Sequence, residues 1–146
     1  MIFDNFYFNV ELLSENAKMP TRANEGDAGL DFYTPINIVI NPISDCLIPL
    51  DIKVEFPKGF VLVIKEKSGI ATKKKLSIGA AVIDCFYRGN CHIHLFNHSN
   101  DYVSFAKGDK IAQGIVIPIW DGQPNQVDFI SIDTERSIGG FGSSGK

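Results

Sequence analysis

Residues 6–12 read FYFNVEL, a segment in which every second side chain is strongly apolar. Successive side chains of a β-strand point to opposite faces, so these apolar positions would share one face. They are Phe6, Phe8, Val10 and Leu12. The alternation predicts a strand that buries one face against a core.

Strand-like runs and turn signals continue along the rest of the 146 residues. The runs are 36–40, 47–56, 60–64, 91–96 and 111–119. Turn-forming residues separate them at 41–42, 57–59, 88–90, 97–101 and 107–109. Only residues 68–74 have a helical pattern, and it is one or two turns long. Short strands with closely spaced turns predict a single all-β domain of jelly-roll, sandwich or barrel type.

The composition excludes several classes of function. A net charge of −3 disagrees with the basic surface of a general nucleic-acid-binding protein. The longest apolar stretch, 111–120, is interrupted by Gln113 and Pro118 and is too short to span a bilayer. The first residues, MIFDNFYF, lack the pattern of a secretory signal. Three cysteines without a CxxC pair favour reduced thiols in a cytoplasm, or in the host cytoplasm or nucleus if the protein is viral.

The C-terminal segment differs in composition from the rest of the chain. Residues 137–146 read SIGGFGSSGK, and such Gly/Ser-rich tails are usually frayed ends without a function. Arg136 and Phe141, however, offer one positive charge and one flat ring to a ligand that has phosphates and a base. We therefore divide the chain into a β domain, residues 1–135, and an arm, residues 136–146, that is expected to close over the ligand.

The segment 78–90, IGAAVIDCFYRGN, is the strongest candidate for a site. Gly79, Ala80 and Ala81 have little side-chain bulk, so a flat ring can approach the backbone and be recognised by its N–H and C=O groups. Asp84 can hold and deprotonate a water molecule. A lone Asp before a turn usually has a structural role, but the neighbours of Asp84 favour the catalytic interpretation.

Two further segments have features of a phosphate site. In EKSG, residues 66–69, a strand leads into the short helix, whose first N–H groups suit an anion. Ser68 is equally suited to be a plain N-cap. KGDKIAQ, residues 107–113, is a charged turn before an apolar strand, and the basic run 73–75 is expected to be solvated.

Three histidines fall on one face of the predicted strand near residues 91–96 and suggest a zinc site. They are His92, His94 and His98. Zinc needs three or four converging ligands, but Phe96 occupies the same face and no Cys or acidic residue has suitable spacing. The favoured interpretation is that these histidines are exposed or lie between subunits.

Taken in order, five segments resemble the five motifs of the homotrimeric dUTPase family. They are AGLD (28–31), KSGIA (67–71), GAAVIDCFYRG (79–89), GDKIAQ (108–113) and RSIGGFGSSG (136–145). One motif would be weak evidence, but order and spacing agree to the C-terminus. The resemblance implies a jelly-roll-like subunit of a homotrimer with three active sites at subunit interfaces. It also implies hydrolysis of dUTP to dUMP and pyrophosphate, which limits uracil in DNA and supplies dUMP.

The resemblance also implies roles for individual residues. Asp84 would be the general base for the attacking water, Tyr87 would pack on deoxyribose, and Asp31 would be a supporting carboxylate. The hairpin residues that would read uracil are Gly79, Ala81, Val82 and Ile83. The phosphates would be held by Lys67, Ser68, Gly69, Gln113 and Arg136. Phe141 would stack on uracil, and the segment that closes over the phosphates would comprise Gly142, Ser143 and Ser144. Mg²⁺ would arrive on the triphosphate without a direct protein ligand.

Several positions depart from the pattern of the family. Glu66 and Lys67 replace the usual Pro-Arg, and Lys110 replaces an arginine; lysine binds phosphate as a point charge without a bidentate fork. Glu66 would place a negative charge beside the phosphates unless it points away. Ala81 stands where glycine is common and would cost about 1 kcal/mol if the position requires a positive φ. These departures concern affinity and rate rather than the type of reaction.

Three other functions are weaker alternatives. A dCTP deaminase would share the fold and the nucleotide site, but it needs an acid/base group, typically a glutamate, and none lies between Gly79 and His94. Glu66 and Lys67 motivate a second alternative, a dUTP-binding or signalling protein with weak turnover. A structural jelly-roll subunit would have no use for the five motifs. The sequence therefore predicts a dUTP diphosphatase.

Overall fold

The computed structural model describes residues 4–135 and 137 of the chain. Within these residues the chain forms eleven strands and one helix, α1 (Ser68–Lys74), which lies between the sixth and seventh strands. The strands are β1 (Asn9–Leu12), β2 (Leu30–Tyr33), β3 (Ile38–Ile40), β4 (Ser44–Pro49), β5 (Ile52–Glu55), β6 (Phe60–Lys65), β7 (Leu76–Ile78), β8 (Val82–Asp84), β9 (His92–Asn97), β10 (Val103–Phe105) and β11 (Lys110–Pro118).

All strand pairs are antiparallel, and most join strands that are distant in sequence. The largest sheet has the order β2-β11-β6-β8, and a three-stranded sheet has the order β4-β9-β7. Two further pairs are β1-β5 and β10-β3. This all-β architecture with one short helix confirms the predicted fold class. In the largest sheet β8 is an edge strand, so one side of its backbone is open among the described residues.

The core forms because alternate side chains of the strands point inward. In β9, Ile93 and Leu95 are fully buried while His92 is exposed, so the strand has one apolar and one polar face. Each buried aliphatic or aromatic side chain stabilises the fold by roughly 1.5–3 kcal/mol. The largest fully buried side chains include Phe32, Phe56, Leu62, Ile64 and Ile111.

Some boundaries differ from the sequence predictions. The helix 68–74 and the strand near 60–64 are confirmed. The run 47–56 was expected to be one strand, but it is broken between β4 and β5, where Asp51 has a left-handed backbone with φ 53°. The first strand begins only at Asn9, and Leu12 is 44% exposed instead of buried, because β1 pairs only with the short β5.

The segment after β11 carries large apolar side chains in solvent. Residues 121–135 are all exposed and contain no strand. The most exposed apolar side chains here are Trp120, Val127, Phe129, Ile130 and Ile132, with 58–82% of their surface accessible. A contiguous set of this kind usually marks a surface that another molecule covers. Nowhere in the described residues is there a helix of the length and apolarity needed to cross a membrane.

Candidate active site

The turn before α1 and the start of β11 enclose an open cleft of about 240 Å³. We call it the basic cleft, and its lining residues are Lys67, Ser68, Gly69, Ile70, Lys110 and Gln113. Lys67 is the N-cap of α1, in extended backbone, and makes no side-chain capping bond within the described residues. The interpretation of Ser68 as the N-cap is therefore wrong. The first N–H groups of a helix lack intrahelical acceptors, so those of Ser68 and Gly69 can donate to an anion.

A buried carboxylate holds the two lysines of the basic cleft. Asp31, on β2, is 3% exposed; Lys67 Nζ donates to its Oδ1, and Lys110 Nζ lies 2.7 Å from its Oδ2. Burial by itself would raise the pKa of Asp31, but the contacts with Lys110 and Lys67 outweigh burial and lower that pKa. The close contact with the Asp31 carboxylate raises the pKa of Lys110. Two cations share one anion, so this end of the cleft keeps a net positive charge.

Gln113 and Glu66 complete the description of the basic cleft. Gln113 Nε2 donates to the backbone oxygen of Glu66 at 3.0 Å, which ties β11 to the turn before α1. A Cβ at Gly29 would lie 2.3 Å from Gln113 Oε1, so the glycine of the first motif makes room for this amide. The Glu66 carboxylate lies 3.5 Å from Lys65 and outside the cleft lining. The negative charge that replaces a proline is therefore paired away from the cleft.

A second open cleft, of about 220 Å³, lies beside β8. We call it the edge cleft, and its lining residues are Leu47, Ala80, Val82, Ile83, Asp84, Tyr87 and His92. Asp84 ends β8 and is exposed. Leu47 and His92 were not predicted to line this site, because both belong to the three-stranded sheet β4-β9-β7. In the sequence, each of the two residues shows only that it occupies an outward-facing position of a strand with alternating apolar and polar residues.

The free backbone of β8 can recognise a flat polar ring. Ile64 N–H donates to the Ala81 carbonyl at 2.7 Å, and alternate residues of an antiparallel strand point their backbone groups to opposite sides. Ala81 and Ile83 therefore face β6, while the N–H and C=O of Val82 face the open edge. Ala81 is not among the residues with positive φ, so alanine causes no backbone strain here.

The turn after β8 fixes the tyrosine of the edge cleft. Tyr87 N–H donates to the Asp84 carbonyl at 3.0 Å, and its hydroxyl donates to the Asn90 carbonyl at 2.9 Å. A Cβ at Gly89 would lie 2.3 Å from the Tyr87 hydroxyl, so only glycine permits this closed turn. The ring is 45% exposed. Asp84 and Tyr87 are thus presented together to one cleft.

The predicted site residues fall into two groups on one chain. Lys67, Ser68, Gly69 and Gln113 line the basic cleft, while Val82, Ile83, Asp84 and Tyr87 line the edge cleft. The two linings share no described residue. Gly79 and Ala81 anchor the strand instead, through bonds to β9 and β6. The remaining predicted residues lie outside the described part of the chain: Arg136, Phe141, Gly142, Ser143 and Ser144.

Within residues 4–135 and 137, no three His, Cys, Asp or Glu side chains converge as metal ligands. Each histidine has a polar partner: His92 Nδ1 lies 2.9 Å from the Asn90 carbonyl, His94 contacts Asp45, and His98 contacts Ser77. Asp31, the buried carboxylate at the basic cleft, is already paired with two lysines.

Fold and clefts together define an all-β protein that can bind an anion at one site and a flat polar ring beside a carboxylate at another. A family model of dUTPases matches residues 15–145, and the chain belongs to the dUTPase family. The predicted family is therefore confirmed.

Several curated relatives are named deoxyuridine 5′-triphosphate nucleotidohydrolase. The Solanum lycopersicum protein is 40% identical over 95% of this chain and 82% of its own length. The Clostridium tetani protein is 36% identical over 97% of this chain and 98% of its own length. The human mitochondrial protein is 40% identical over 92% of this chain, which spans 53% of the human protein.

Solved structures with the same fold include dUTPases of staphylococcal phages. The dUTPase of Staphylococcus bacteriophage 80alpha with dUpNHpp is 31% identical, with a TM-score of 0.89 over 96% of this chain and 99% of that one. A mutant dUTPase from phage phi11 of S. aureus, described with a structural Mg(II) ion, is 30% identical. Its TM-score is 0.79 over 84% of this chain and 97% of that one.

Proposed function

We propose that this chain hydrolyses dUTP to dUMP and pyrophosphate. The observation that carries the proposal is the position of Asp84, which shares the edge cleft with Tyr87 and the open edge of β8 in a chain of the dUTPase family. The deaminase alternative is not favoured, because the lining of the edge cleft contains no glutamate among the described residues.

In this proposal each cleft binds one end of the nucleotide. Val82 N–H and C=O on the open edge pair with the polar edge of uracil, and the Tyr87 ring packs against deoxyribose. Lys67, Lys110 and the first amides of α1 donate to the phosphates. Recognition through fixed backbone groups disfavours bases with a different donor and acceptor pattern, because an unpaired polar group in the site costs about 1–3 kcal/mol.

The chemical step is attack of water on the α-phosphorus. Asp84 accepts one proton from water as the new P–O bond forms, and the bond between the α-phosphorus and the bridging oxygen breaks to release pyrophosphate. A positioned general base contributes roughly 10²–10⁴-fold to such a step. The cations of the basic cleft stabilise the charge that develops on the leaving group. Mg²⁺ bound to the phosphates would add charge neutralisation.

We propose further that the active site is assembled from more than one copy in a homotrimer. The two clefts share no lining residue, yet one nucleotide must reach both, and the apolar side chains after β11 need a covering surface. The arm residues would complete the site: Arg136 on phosphate, Phe141 on uracil, and the closing segment Gly142, Ser143 and Ser144. Light scattering should give about three times the 16.1 kDa chain mass.

We place the enzyme in a reducing compartment such as a cytoplasm, or the cytoplasm or nucleus of a host cell. The support is that Cys46, Cys85 and Cys91 are all free thiols. Burial raises the pKa of Cys91 to about 11, which keeps that thiol protonated and unreactive. Fractionation of cells that produce the protein, followed by immunodetection, tests this placement.

One assay separates the candidate functions. The purified protein with Mg²⁺ is offered dUTP, dTTP and dCTP, and pyrophosphate and ammonia are both measured. Pyrophosphate from dUTP alone supports the proposal. Ammonia from dCTP would support the deaminase, and binding of dUTP without product would support a binding or signalling protein.

A further inference from the structure

His94, in the middle of β9, joins β4 to the corner that precedes β8. Its Nε2 lies 2.8 Å from Asp45 Oδ2, and its Nδ1 accepts a hydrogen bond from the Ala80 N–H at 3.3 Å. A neutral imidazole donates from one nitrogen and accepts at the other. One neutral tautomer of His94 therefore satisfies both contacts. In this tautomer the proton is on Nε2 and is directed at the Asp45 carboxylate.

The backbone of the same corner is held by His94 as well. Gly79 N–H donates to the His94 carbonyl at 2.9 Å, so both amides of the 79–80 corner bind one residue. A Cβ at Gly79 would lie 2.1 Å from His94 Nδ1, and only glycine allows the ring this close. The His94 side chain is 23% exposed, and its ring centroid lies 4.8 Å from that of Phe96.

This corner leads directly into the open edge of β8. A shift of Gly79 or Ala80 would move the Val82 N–H and C=O relative to a bound base, and hydrogen bonds weaken steeply when their geometry changes. We propose that Asp45 and His94 form a positioning pair that sets the geometry of this base-reading edge. The pair lies outside the described linings of both clefts and acts through the backbone. This inference rests on the proposed function, dUTP hydrolysis.

The first test replaces His94 in the assembled protein. His94→Leu keeps most of the bulk and removes both ring nitrogens. Loss of the hydrogen bond that orders the Ala80 N–H should raise KM for dUTP about fivefold to tenfold and lower the preference for dUTP over dTTP by a similar factor. The value of kcat should change less than twofold, since Asp84 is untouched. His94→Gln, whose amide both donates and accepts, should recover part of the loss.

The matched control is His98→Leu, which removes an imidazole from the residue that directly follows the same strand. His98 Nε2 lies 2.6 Å from Ser77 Oγ and does not bind the 79–80 corner. The KM and base preference of His98→Leu should equal those of the wild-type protein. If His94 had only a structural role, His94→Leu would instead lower the stability and the fraction of active enzyme and leave KM and the base preference unchanged.

A second test uses the contact between Gly79 and His94. Gly79→Ala should lower kcat/KM for dUTP at least tenfold. When Gly79→Ala is added to the His94→Ala variant, the further loss of kcat/KM should be much smaller, because the ring no longer occupies the space. Equal losses in both backgrounds, or an unchanged KM and base preference in His94→Leu, would overturn the inference.

The inference and the proposed function can fail separately. If the original protein releases no pyrophosphate from dUTP, the proposed function fails. The contact is then tested by the amide ¹⁵N and ¹H shifts of Ala80, which His94→Leu should move and His98→Leu should leave in place. Unmoved Ala80 shifts in His94→Leu would refute the positioning pair without any measurement of turnover.

Discussion

Lys110 Nζ lies 2.7 Å from Oδ2 of Asp31, while the other oxygen of the same carboxylate binds Lys67. Both lysines stand at positions where the motifs that the sequence resembles have arginine. A lysine lacks the guanidinium fork that binds phosphate at two points, but a shared buried anion restricts where the two ammonium groups can lie. The shared carboxylate thus orders two cations at the basic cleft, although neither lysine has the rigid, planar head group of an arginine.

Asp31→Asn should destabilise the fold. The change removes the anion and leaves two cations side by side, but both lysines are partly exposed, so water screens much of their repulsion. Removing one partner of a fully buried pair costs roughly 3–5 kcal/mol, and with the screening of the exposed lysines we expect a loss of about 1–2 kcal/mol in urea unfolding. The control is Glu11→Gln, which breaks the exposed ion pair with Lys53 and should cost less than about 0.5 kcal/mol. Equal losses in the two variants would contradict this account.

The stability contribution of Asp31 should depend on pH. Its folded-state pKa is lowered from 3.8, because the contacts with Lys110 and Lys67 together outweigh the opposing effect of burial. A carboxyl with a depressed folded pKa stabilises the fold above its unfolded pKa and loses that contribution as the pH falls through the folded value. The stability difference between the original protein and Asp31→Asn should be constant near neutral pH and shrink below 3.8. Urea unfolding of both proteins at a series of acidic pH values measures this difference in stability.

Removal of one cation from the basic cleft should weaken nucleotide binding. Lys110→Met is expected to raise KM for dUTP about tenfold, with a larger effect at low ionic strength, where charges are less screened. Lys73→Met, on the exposed face of α1, is the control and should leave KM unchanged. Steady-state kinetics at two salt concentrations give both comparisons. An effect independent of salt would argue against a charge contact with phosphate.

Asp84→Asn should abolish turnover and preserve binding. The amide keeps the size of the side chain but cannot accept a proton from water, so kcat should fall roughly 10²–10⁴-fold. Calorimetric affinity for dUTP should remain within about tenfold. Asp121→Asn, an exposed carboxylate that pairs with Lys58 at 3.2 Å, serves as the control. Normal hydrolysis by Asp84→Asn would remove this residue from the mechanism.

Two glycine substitutions should change stability in opposite directions. A Cβ at Gly114 would lie 2.5 Å from a Phe32 ring carbon and 2.8 Å from Leu62 Cδ1, so Gly114→Ala should cost about 1–3 kcal/mol by overpacking. Gly69 is helical and a Cβ there meets nothing within 4 Å. Gly69→Ala should therefore gain about 0.4–1 kcal/mol. Thermal unfolding of the two variants shows whether each substitution lowers or raises the stability of the fold.

Local elements were predictable from the sequence where local physics determines them. The helix 68–74 and the turns at Gly59 and Gly108, which have φ of 87° and 89°, were expected from local composition and are observed. The break at Asp51 was not predicted, because a non-glycine residue with positive φ leaves no signal in an apolar run. Strands β2, β7 and β10 were also missed, since each has only three or four residues.

The grouping of site residues depended on long-range pairing. The sequence placed Asp84 and Tyr87 in one segment, and they do line one cleft. The contact of His94 with Asp45 spans 49 residues and follows from the register of β4 on β9, which alternation alone does not fix. The contact of Lys110 with Asp31 similarly requires β11 to lie beside β2.

The open side of β8 has one more consequence. Among the described residues β8 is an edge strand, and an edge strand can recruit a strand from another protein molecule, which is a route to aggregation. Because β8 has only three residues, an invading strand would gain few hydrogen bonds there. The shortness of this strand therefore limits pairing with a second molecule and the aggregation that would follow from it.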